Sequence, residues 1–326
     1  MTDRARRWFL GTMTALAVAG AVGAGPPAWA AGPLQVVTTT GMIADVVRRV
    51  GGERVEVRQL LGQGVDPHLY KATRSDIAAM LNADATFYNG LLLEGKMTDA
   101  FVRVATSGKP VFAVTELIEE SHLIEPPGSQ GHFDPHVWMD PQAWAKAVEV
   151  VRDKLAARDP EGAAGYTANA DLLLDEFRRL DAYAEKAVAS VPAGRRVLVT
   201  AHDAFGYFGK RYGFEVLGIQ GLSTESEAGL KQIEQLVEML AARRIPAVFV
   251  ESTIPDRSVR ALVAGAAARG HTVVIGGELY SDAMGAPGTY EGTYVGMIDH
   301  NVTLIARALG GDVPADGFNG RLAQLK

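Results

Sequence analysis

The tripeptide Asp-Pro-His occurs twice in the sequence, ending at His68 and at His136. In both copies a proline precedes the histidine, and its ring restricts the backbone and therefore the directions in which the imidazole can point. A single loop histidine is usually a solvated surface residue, but two in the same rigid context, each following a predicted β-strand, favour a common role. Since neutral imidazole nitrogens bind transition metals, His68 and His136 are predicted metal ligands.

Two further candidate ligands lie in the second half of the sequence. His202 follows the strand-like run Val-Leu-Val-Thr-Ala, and Asp282 lies in a glycine-punctuated loop after the last predicted strand. Each has an ordinary alternative role, because His202 could start a helix and aspartate is a common turn former. In an open α/β sheet, however, ligands bind beyond the carboxyl ends of the strands, where both residues lie. We therefore expect two metal ligands from each half of the chain.

Glu251 ends another predicted strand. A histidine that binds a metal through one ring nitrogen usually donates a hydrogen bond from the other, often to a carboxylate. Glu251 is therefore a candidate acceptor behind one of the imidazoles. An alternative with equal support is that Glu251 caps the turn that follows its strand.

Two series of predicted elements position these residues. The first series has strands at 36–40, 55–61, 86–88 and 111–114 and helices at 43–50, 75–82 and 97–106. The second series has strands at 197–201, 214–219, 247–251 and 272–275 and helices at 203–212, 227–243, 257–269 and 290–309. Strands that alternate with helices predict an α/β fold with mostly parallel sheets.

Between the two series, residues 160–190 are rich in Ala, Leu, Glu and Arg, with apolar residues near helical spacing. Pro160 and Pro192 bound this segment, which predicts one helix roughly 45 Å long. The predicted organisation is an N-terminal α/β lobe (31–159), a rigid linking helix (160–190) and a C-terminal α/β lobe (191–326). The metal site would lie in the cleft between the lobes.

Residues 1–30 have the pattern of a signal peptide: Arg4, Arg6 and Arg7, an apolar stretch over 8–24, and Ala-Trp-Ala at 28–30. An uncleaved anchor is the alternative, but the helix breakers at 25–27 favour cleavage. The paired arginines also fit a twin-arginine signal, so the export route stays open. We expect a soluble exported protein.

The sequence contains no cysteine, so it offers neither a disulfide, a thiolate ligand nor a site for a lipid anchor. This favours a free periplasmic protein. The formal charge of the chain is −6, and removing residues 1–30, with three Arg and one Asp, leaves −8. This mild acidity argues against a nucleic-acid partner.

Four stretches together resemble one family. They are Asp-Pro-His-Leu-Tyr, Asp-Pro-His-Val-Trp-Met-Asp-Pro, Thr-Ala-His-Asp-Ala-Phe-Gly-Tyr-Phe and Gly-Gly-Glu-Leu-Tyr-Ser-Asp-Ala-Met-Gly. The family comprises the metal receptors of ABC importers, of the TroA and ZnuA type, and the resemblance runs from about residue 36 to 309. It implies that His68, His136, His202 and Asp282 contact one metal ion. It also implies a monomeric, non-enzymatic receptor that delivers its ion to an importer permease driven by a cytoplasmic ATPase.

The choice of ion is less well determined. Three imidazoles and one carboxylate suit Zn²⁺, and would also hold Mn²⁺ or Fe²⁺ if the carboxylate binds through both oxygens. Family members that prefer manganese often have glutamate at the position of His202. Dedicated zinc receptors tend to have a histidine-rich loop before the second Asp-Pro-His, where this chain has only His122 and His132. Zinc is the predicted cargo, with manganese and iron as alternatives.

Two other classes of function are alternatives. A metal-dependent hydrolase needs an open metal position and a general base, whereas four protein ligands close the site, and the sequence has no His-Glu-x-x-His or Gly-x-Ser-x-Gly motif. A receptor for an organic solute, or an adhesin-like module, would need a cleft lined by aromatic and polar groups. Tyr70, Trp138 and Tyr280 neighbour the predicted ligands, but aromatic rings also exclude water from a buried ion.

Overall fold

The computed structural model describes residues 32–127, 129 and 131–322. The predicted signal peptide, residues 1–30, lies outside the described residues. Within the described ranges, none of the helices has the length and apolar composition that a membrane crossing requires.

The first half of the chain contains four strands and four helices in the described residues. In chain order they are β1 (Leu34–Thr38), α1 (Gly41–Gly51), β2 (Val55–Gln59), α2 (Arg74–Asn82), β3 (Ala85–Tyr88), α3 (Thr98–Thr106), β4 (Val111–Ala113) and α4 (Pro141–Arg158). The strands form one parallel sheet in the order β2-β1-β3-β4. Because the strands are parallel, their carboxyl ends lie at one edge of the sheet, where the loops that follow them meet.

The second half repeats the alternation. After the long helix α5 (Ala163–Ala189) come β5 (Val197–His202), α6 (Gly206–Tyr212), β6 (Glu215–Gln220), α7 (Leu230–Arg243), β7 (Ala247–Glu251), α8 (Arg257–Ala268), β8 (Val274–Leu279) and α9 (Tyr294–Ala308). β5 pairs in parallel with β6, β7 pairs in parallel with β8, and β5 lies beside β7. The predicted α/β class with parallel sheets is confirmed.

Helix α5 runs between elements of both halves. The predicted helix at 160–190 is a short 3₁₀ turn (Pro160–Gly162) followed by α5, whose 27 residues span about 40 Å. Its buried side chains recur every three to four residues. The helix packs against α1 and α4 from the first half of the chain and against α6 and α9 from the second half. The main apolar cluster contains residues from both halves. The lobe boundaries at 159 and 191 stay a prediction.

Helix α4 has no counterpart in the sequence prediction. Asp140 accepts a hydrogen bond from Gln142 N and Pro141 occupies the first helical position, which together are a standard helix start. In the sequence, Asp140 and Pro141 also end the second metal motif, Asp-Pro-His-Val-Trp-Met-Asp-Pro. The apolar residues of α4 that face the core are Ala143, Trp144, Ala147, Val148, Val151 and Leu155.

Two predicted boundaries near the site differ from the structure. The last strand, predicted at 272–275, is β8 and continues through Gly276 and Gly277 to Leu279. The last helix, predicted to begin at 290, begins at Tyr294 because the Thr293 side chain accepts a hydrogen bond from Gly296 N and caps it. Asp282 therefore lies three residues after the end of its strand, where the prediction placed it seven residues after, and its loop ends at a defined helix start.

Candidate metal centre

Four buried side chains from distant parts of the chain meet at one point: His68, His136, His202 and Asp282. One possible ligand atom from each lies within 4.8 Å of the other three. The Asp282 carboxylate oxygens lie 3.4 Å from His68 Nε2, 3.4 Å from His136 Nε2 and 3.2 Å from His202 Nε2. Ligands about 2.0–2.1 Å from a tetrahedral ion are themselves roughly 3.3 Å apart, so this spacing fits one ion.

Each of the four residues is supplied by a different connection. His202 is the last residue of β5, and Asp282 follows β8. His68 lies in the loop between β2 and α2, and His136 lies between β4 and α4, directly before the 3₁₀ turn Val137–Met139. The sequence correctly predicted that all four lie at or beyond the carboxyl ends of strands, although His68 and His136 lie farther from their strands than His202 and Asp282.

The atoms that face the common point have no other partners. Among the described residues, Nε2 of His68, His136 and His202 and both Asp282 carboxylate oxygens are buried and make no hydrogen bond. Buried polar atoms in native proteins nearly always have a partner. Five unpartnered nitrogen and oxygen atoms around one point therefore indicate a site built for a ligand that all of them contact.

Asp134 holds the ring of His136. Its Oδ1 lies 2.7 Å from His136 Nδ1 and also accepts a hydrogen bond from His136 N at 2.9 Å. This contact puts a proton on Nδ1 and leaves the Nε2 lone pair directed at the common point. The close approach needs Gly206 at the start of α6, since a Cβ there would lie 2.6 Å from Asp134 Oδ2.

Glu251 holds the ring of His202 in the same way. Its Oε2 lies 2.5 Å from His202 Nδ1, and its Oε1 accepts a hydrogen bond from His202 N at 2.8 Å. Both groups are buried. The candidate acceptor therefore contacts an imidazole of the site, and none of its side-chain hydrogen bonds in the described chain goes to the turn that follows β7.

His68 is oriented differently. Asp66 Oδ1 accepts a hydrogen bond from His68 N at 2.8 Å, as Asp134 does for His136, but it does not bond to the ring. In the described part of the chain the carboxylate contact of the His68 ring is with Asp282 alone. The second oxygen of Asp66 instead accepts a hydrogen bond from the hydroxyl of Thr224, at 2.6 Å. Identical tripeptides thus have different surroundings.

The carboxylates change the acidity of the two imidazoles that they contact. Burial lowers the pKa of an imidazole because it disfavours the charged form. In His136, Asp134 and Asp282 outweigh burial and raise the pKa to about 9. In His202, Glu251 and Asp282 outweigh burial and hold the pKa well above its usual value. Without a metal, these two rings therefore bind protons at neutral pH, and an ion must displace them.

The acidity of Asp282 changes in the opposite direction. Burial raises the pKa of this carboxyl, but the surrounding imidazoles, with His202 the strongest, outweigh burial and hold the pKa well below its usual value. Asp282 therefore stays ionised and available as a ligand throughout the neutral range.

Trp138 supports the loop that carries Asp282. Its Nε1 donates a hydrogen bond of 2.9 Å to the backbone carbonyl of Ser281, and its ring packs edge-on to His136 at 5.3 Å between centroids. Trp138 itself is fully buried, and Tyr294 donates a hydrogen bond to its carbonyl. Trp138 thus contacts both Ser281, the residue before Asp282, and the ring of His136.

The other histidines lie apart from this group. His122 and His132 are exposed in the loop before the second tripeptide. Nε2 of His271 lies 2.8 Å from the carbonyl of Ile245, and Nε2 of His300 lies 2.9 Å from that of Glu278, so both rings have backbone partners. None of these four histidines belongs to the group of described residues that could hold a metal ion.

Sequence reasoning missed Asp134, Asp66 and Thr224. The repeated Asp-Pro-His motif contained a signal for the two aspartates, since Asp hydrogen-bonds readily to backbone groups two residues on. We interpreted only the proline and histidine of that motif. No local pattern distinguishes Thr224 from its neighbours.

Comparison with known proteins gives matches over most of the chain. The family model for ZnuA, the periplasmic zinc-uptake complex component A, matches residues 36–308. The manganese-binding lipoprotein MntA of Bacillus subtilis (strain 168) is 47% identical over 276 residues, which cover 85% of this chain and 90% of MntA.

Solved structures also match most of the chain. The periplasmic zinc-binding protein TroA from Treponema pallidum is 47% identical with a TM-score of 0.82, covering 85% of this chain and 99% of TroA. Fe(III)-bound YtgA from Chlamydia trachomatis is 28% identical with a TM-score of 0.77, covering 86% of this chain and 99% of YtgA.

Proposed function

Because the chain belongs to the ZnuA family, we propose that it is the substrate-binding protein of an ABC importer, which captures one divalent transition-metal ion outside the cytoplasm. His68, His136, His202 and Asp282 are the proposed ligands, and the ion is cargo that the protein later releases. Glu251 and Asp134 are proposed to orient two of the imidazoles.

One observation carries this proposal. Five buried, unpartnered atoms, three of them imidazole Nε2 and two carboxylate oxygens, face one point at distances that suit a tetrahedral ion. No organic solute could contact all five atoms at once in a space between groups 3.2 to 3.4 Å apart.

Zinc is the proposed cargo. A set of three nitrogens and one oxygen matches the coordination that Zn²⁺ prefers. Mn²⁺ and Fe²⁺ are the alternatives, because both Asp282 oxygens face the site and a bidentate carboxylate would supply a fifth ligand. Among the relatives, TroA is named for zinc and MntA for manganese, and the YtgA structure is described as Fe(III)-bound.

A catalytic role has less support. Catalytic zinc sites keep a position for water, whereas the four proposed protein ligands would complete a tetrahedron around the ion. A cavity of about 570 Å³ borders Asp282, between α1 and the loop after β8, but Tyr70, Trp138 and Tyr280 are not among the residues that line it. This composition does not favour an organic solute, which would need aromatic walls.

The proposed partners are a permease and its cytoplasmic ATPase, with the receptor acting as a monomer. Because both halves of the chain supply ligands, we propose that binding draws the two proposed lobes together about α5. Docking on the permease would then separate the ligand pairs.

The predicted signal peptide supports a periplasmic location. MntA is named a lipoprotein, whereas this sequence has no cysteine to carry such a lipid.

Metal titration tests the proposal. Protein stripped with a chelator should bind one Zn²⁺ per chain in calorimetry, and its melting temperature should rise on metal addition because only the folded state has the site. Mn²⁺ and Fe²⁺ are titrated in parallel to rank the ions. The double variant His136→Ala/His202→Ala should not bind, and His271→Ala is the matched control. Binding of zinc by the double variant with wild-type affinity would refute the assigned site.

A further inference from the structure

The loop after β6 reaches across to the loop that carries His68. Residues 221–229 lie outside any helix or strand, and Ser223, Glu225 and Ser226 are exposed. Thr224 alone among these neighbours is buried, at 8% exposure, and its hydroxyl donates the 2.6 Å hydrogen bond to Asp66 Oδ2. The two residues are 158 positions apart, so this contact joins the two halves of the chain beside the metal site.

The Asp66 carboxylate connects Thr224 to His68. One oxygen accepts the His68 backbone N–H and the other accepts the Thr224 hydroxyl. His136 and His202 need no such connection, because carboxylates contact their rings directly at 2.7 and 2.5 Å. The orientation of His68 therefore depends on its backbone, and the backbone depends on Asp66 staying where Thr224 holds it.

We propose that Thr224 is a positioning residue that keeps His68 closed against Asp282 and thereby sets the rate at which the ion leaves. The inference rests on the proposed function and names a determinant of release at the same site. Loss of the hydroxyl leaves His68 as the imidazole with the weakest support. In this proposal the ion is released when the loop that carries His68 moves away from Asp282. His136 and His202 stay in place because carboxylates hold their rings.

The sharpest variant is Thr224→Val, which keeps the shape of the side chain and removes the hydroxyl. Zinc-loaded protein is mixed with excess chromophoric chelator, and the release rate is followed by stopped flow. A hydrogen bond to a charged group corresponds to roughly a ten- to hundredfold change in an equilibrium constant, so the rate should rise at least about tenfold. Thr224→Ser, which restores a hydroxyl, should release within about threefold of wild type.

Two controls separate positioning from folding. Ser226→Ala changes an exposed neighbour and should leave release unchanged. Metal-free Thr224→Val should still unfold in one cooperative transition, a few degrees below wild type because one hydrogen bond is lost. In an Asp66→Ala background, Thr224→Val should add no further acceleration, because the acceptor of its hydrogen bond is already absent.

Two results would overturn the inference alone, provided that wild type binds one zinc ion. They are a wild-type release rate in Thr224→Val, and a Thr224→Ser variant that releases as fast as Thr224→Val. A wild-type protein that takes up no ion would overturn the proposed function and this inference together.

Discussion

The Glu251 carboxylate accepts hydrogen bonds from both the backbone N–H and the ring Nδ1 of His202, at 2.8 and 2.5 Å. Both residues are completely or almost completely buried, at the ends of the neighbouring strands β7 and β5. One carboxylate therefore fixes the position of the residue and the tautomer of its ring, with Nε2 left free to bind an ion.

Replacing Glu251 by glutamine should weaken zinc binding about 10- to 100-fold, since the loss of such an outer partner has effects of that size. The amide keeps the shape but cannot support the imidazole electrostatically. Competition with a chelator of known affinity measures the change. Glu278→Gln, at an exposed position on β8, is the control, and equal affinities in the two variants would contradict the role given to Glu251.

The affinity for zinc should increase with pH well above the usual range of histidine. An ion must displace a proton from His136, whose pKa is raised to about 9 by Asp134 and Asp282 against the effect of burial. The logarithm of the affinity should therefore rise by about one unit or more per pH unit between pH 7 and 9. Calorimetry in buffers of different ionisation enthalpy counts the protons released, and a count of zero at pH 7.5 would rule this out.

The stability of the metal-free protein should change with pH in the opposite direction. The folded-state pKa of His136 lies above the usual 6.5, so its stabilising contribution is complete below pH 6.5 and is lost as the pH rises through about 9. The melting temperature of the metal-free protein should fall across this window, and calorimetric scans at several pH values measure it. His136→Gln should show a smaller fall. An equal fall in that variant would show that other groups dominate.

Replacing Trp138 by phenylalanine should loosen the loop that carries Asp282. The change removes the hydrogen bond from Nε1 to the Ser281 carbonyl, which leaves a buried acceptor without that donor and should cost about 1–3 kcal/mol of unfolding free energy. Zinc affinity should fall as well. Trp144→Phe is a matched control, because Trp144 Nε1 is buried without a partner in the described chain. Denaturant unfolding compares them, and equal losses would contradict the assignment.

Much of the fold could be predicted because its signals are local. Alternating β-branched and helical runs gave the eight strands and eight of the nine helices in the described residues, with errors of a few residues at their ends. Helix α4 was missed because its start signals, Asp140 and Pro141, overlap with the second metal motif.

The sequence by itself indicated the candidate metal ligands, since His68, His136, His202 and Asp282 lie at or beyond the ends of predicted strands and their types suit zinc. It also determined the backbone contact within each Asp-Pro-His tripeptide, where Asp accepts the His N–H at 2.8 and 2.9 Å.

Only the tertiary structure decided what surrounds each imidazole. Asp134 contacts the ring of His136 where Gly206 allows α6 to approach, whereas Asp66 bonds to Thr224 from the other half of the chain. The physical reason is that a side-chain hydrogen bond needs two groups within about 3 Å. Between residues far apart in sequence, only the packing of the whole chain sets that distance.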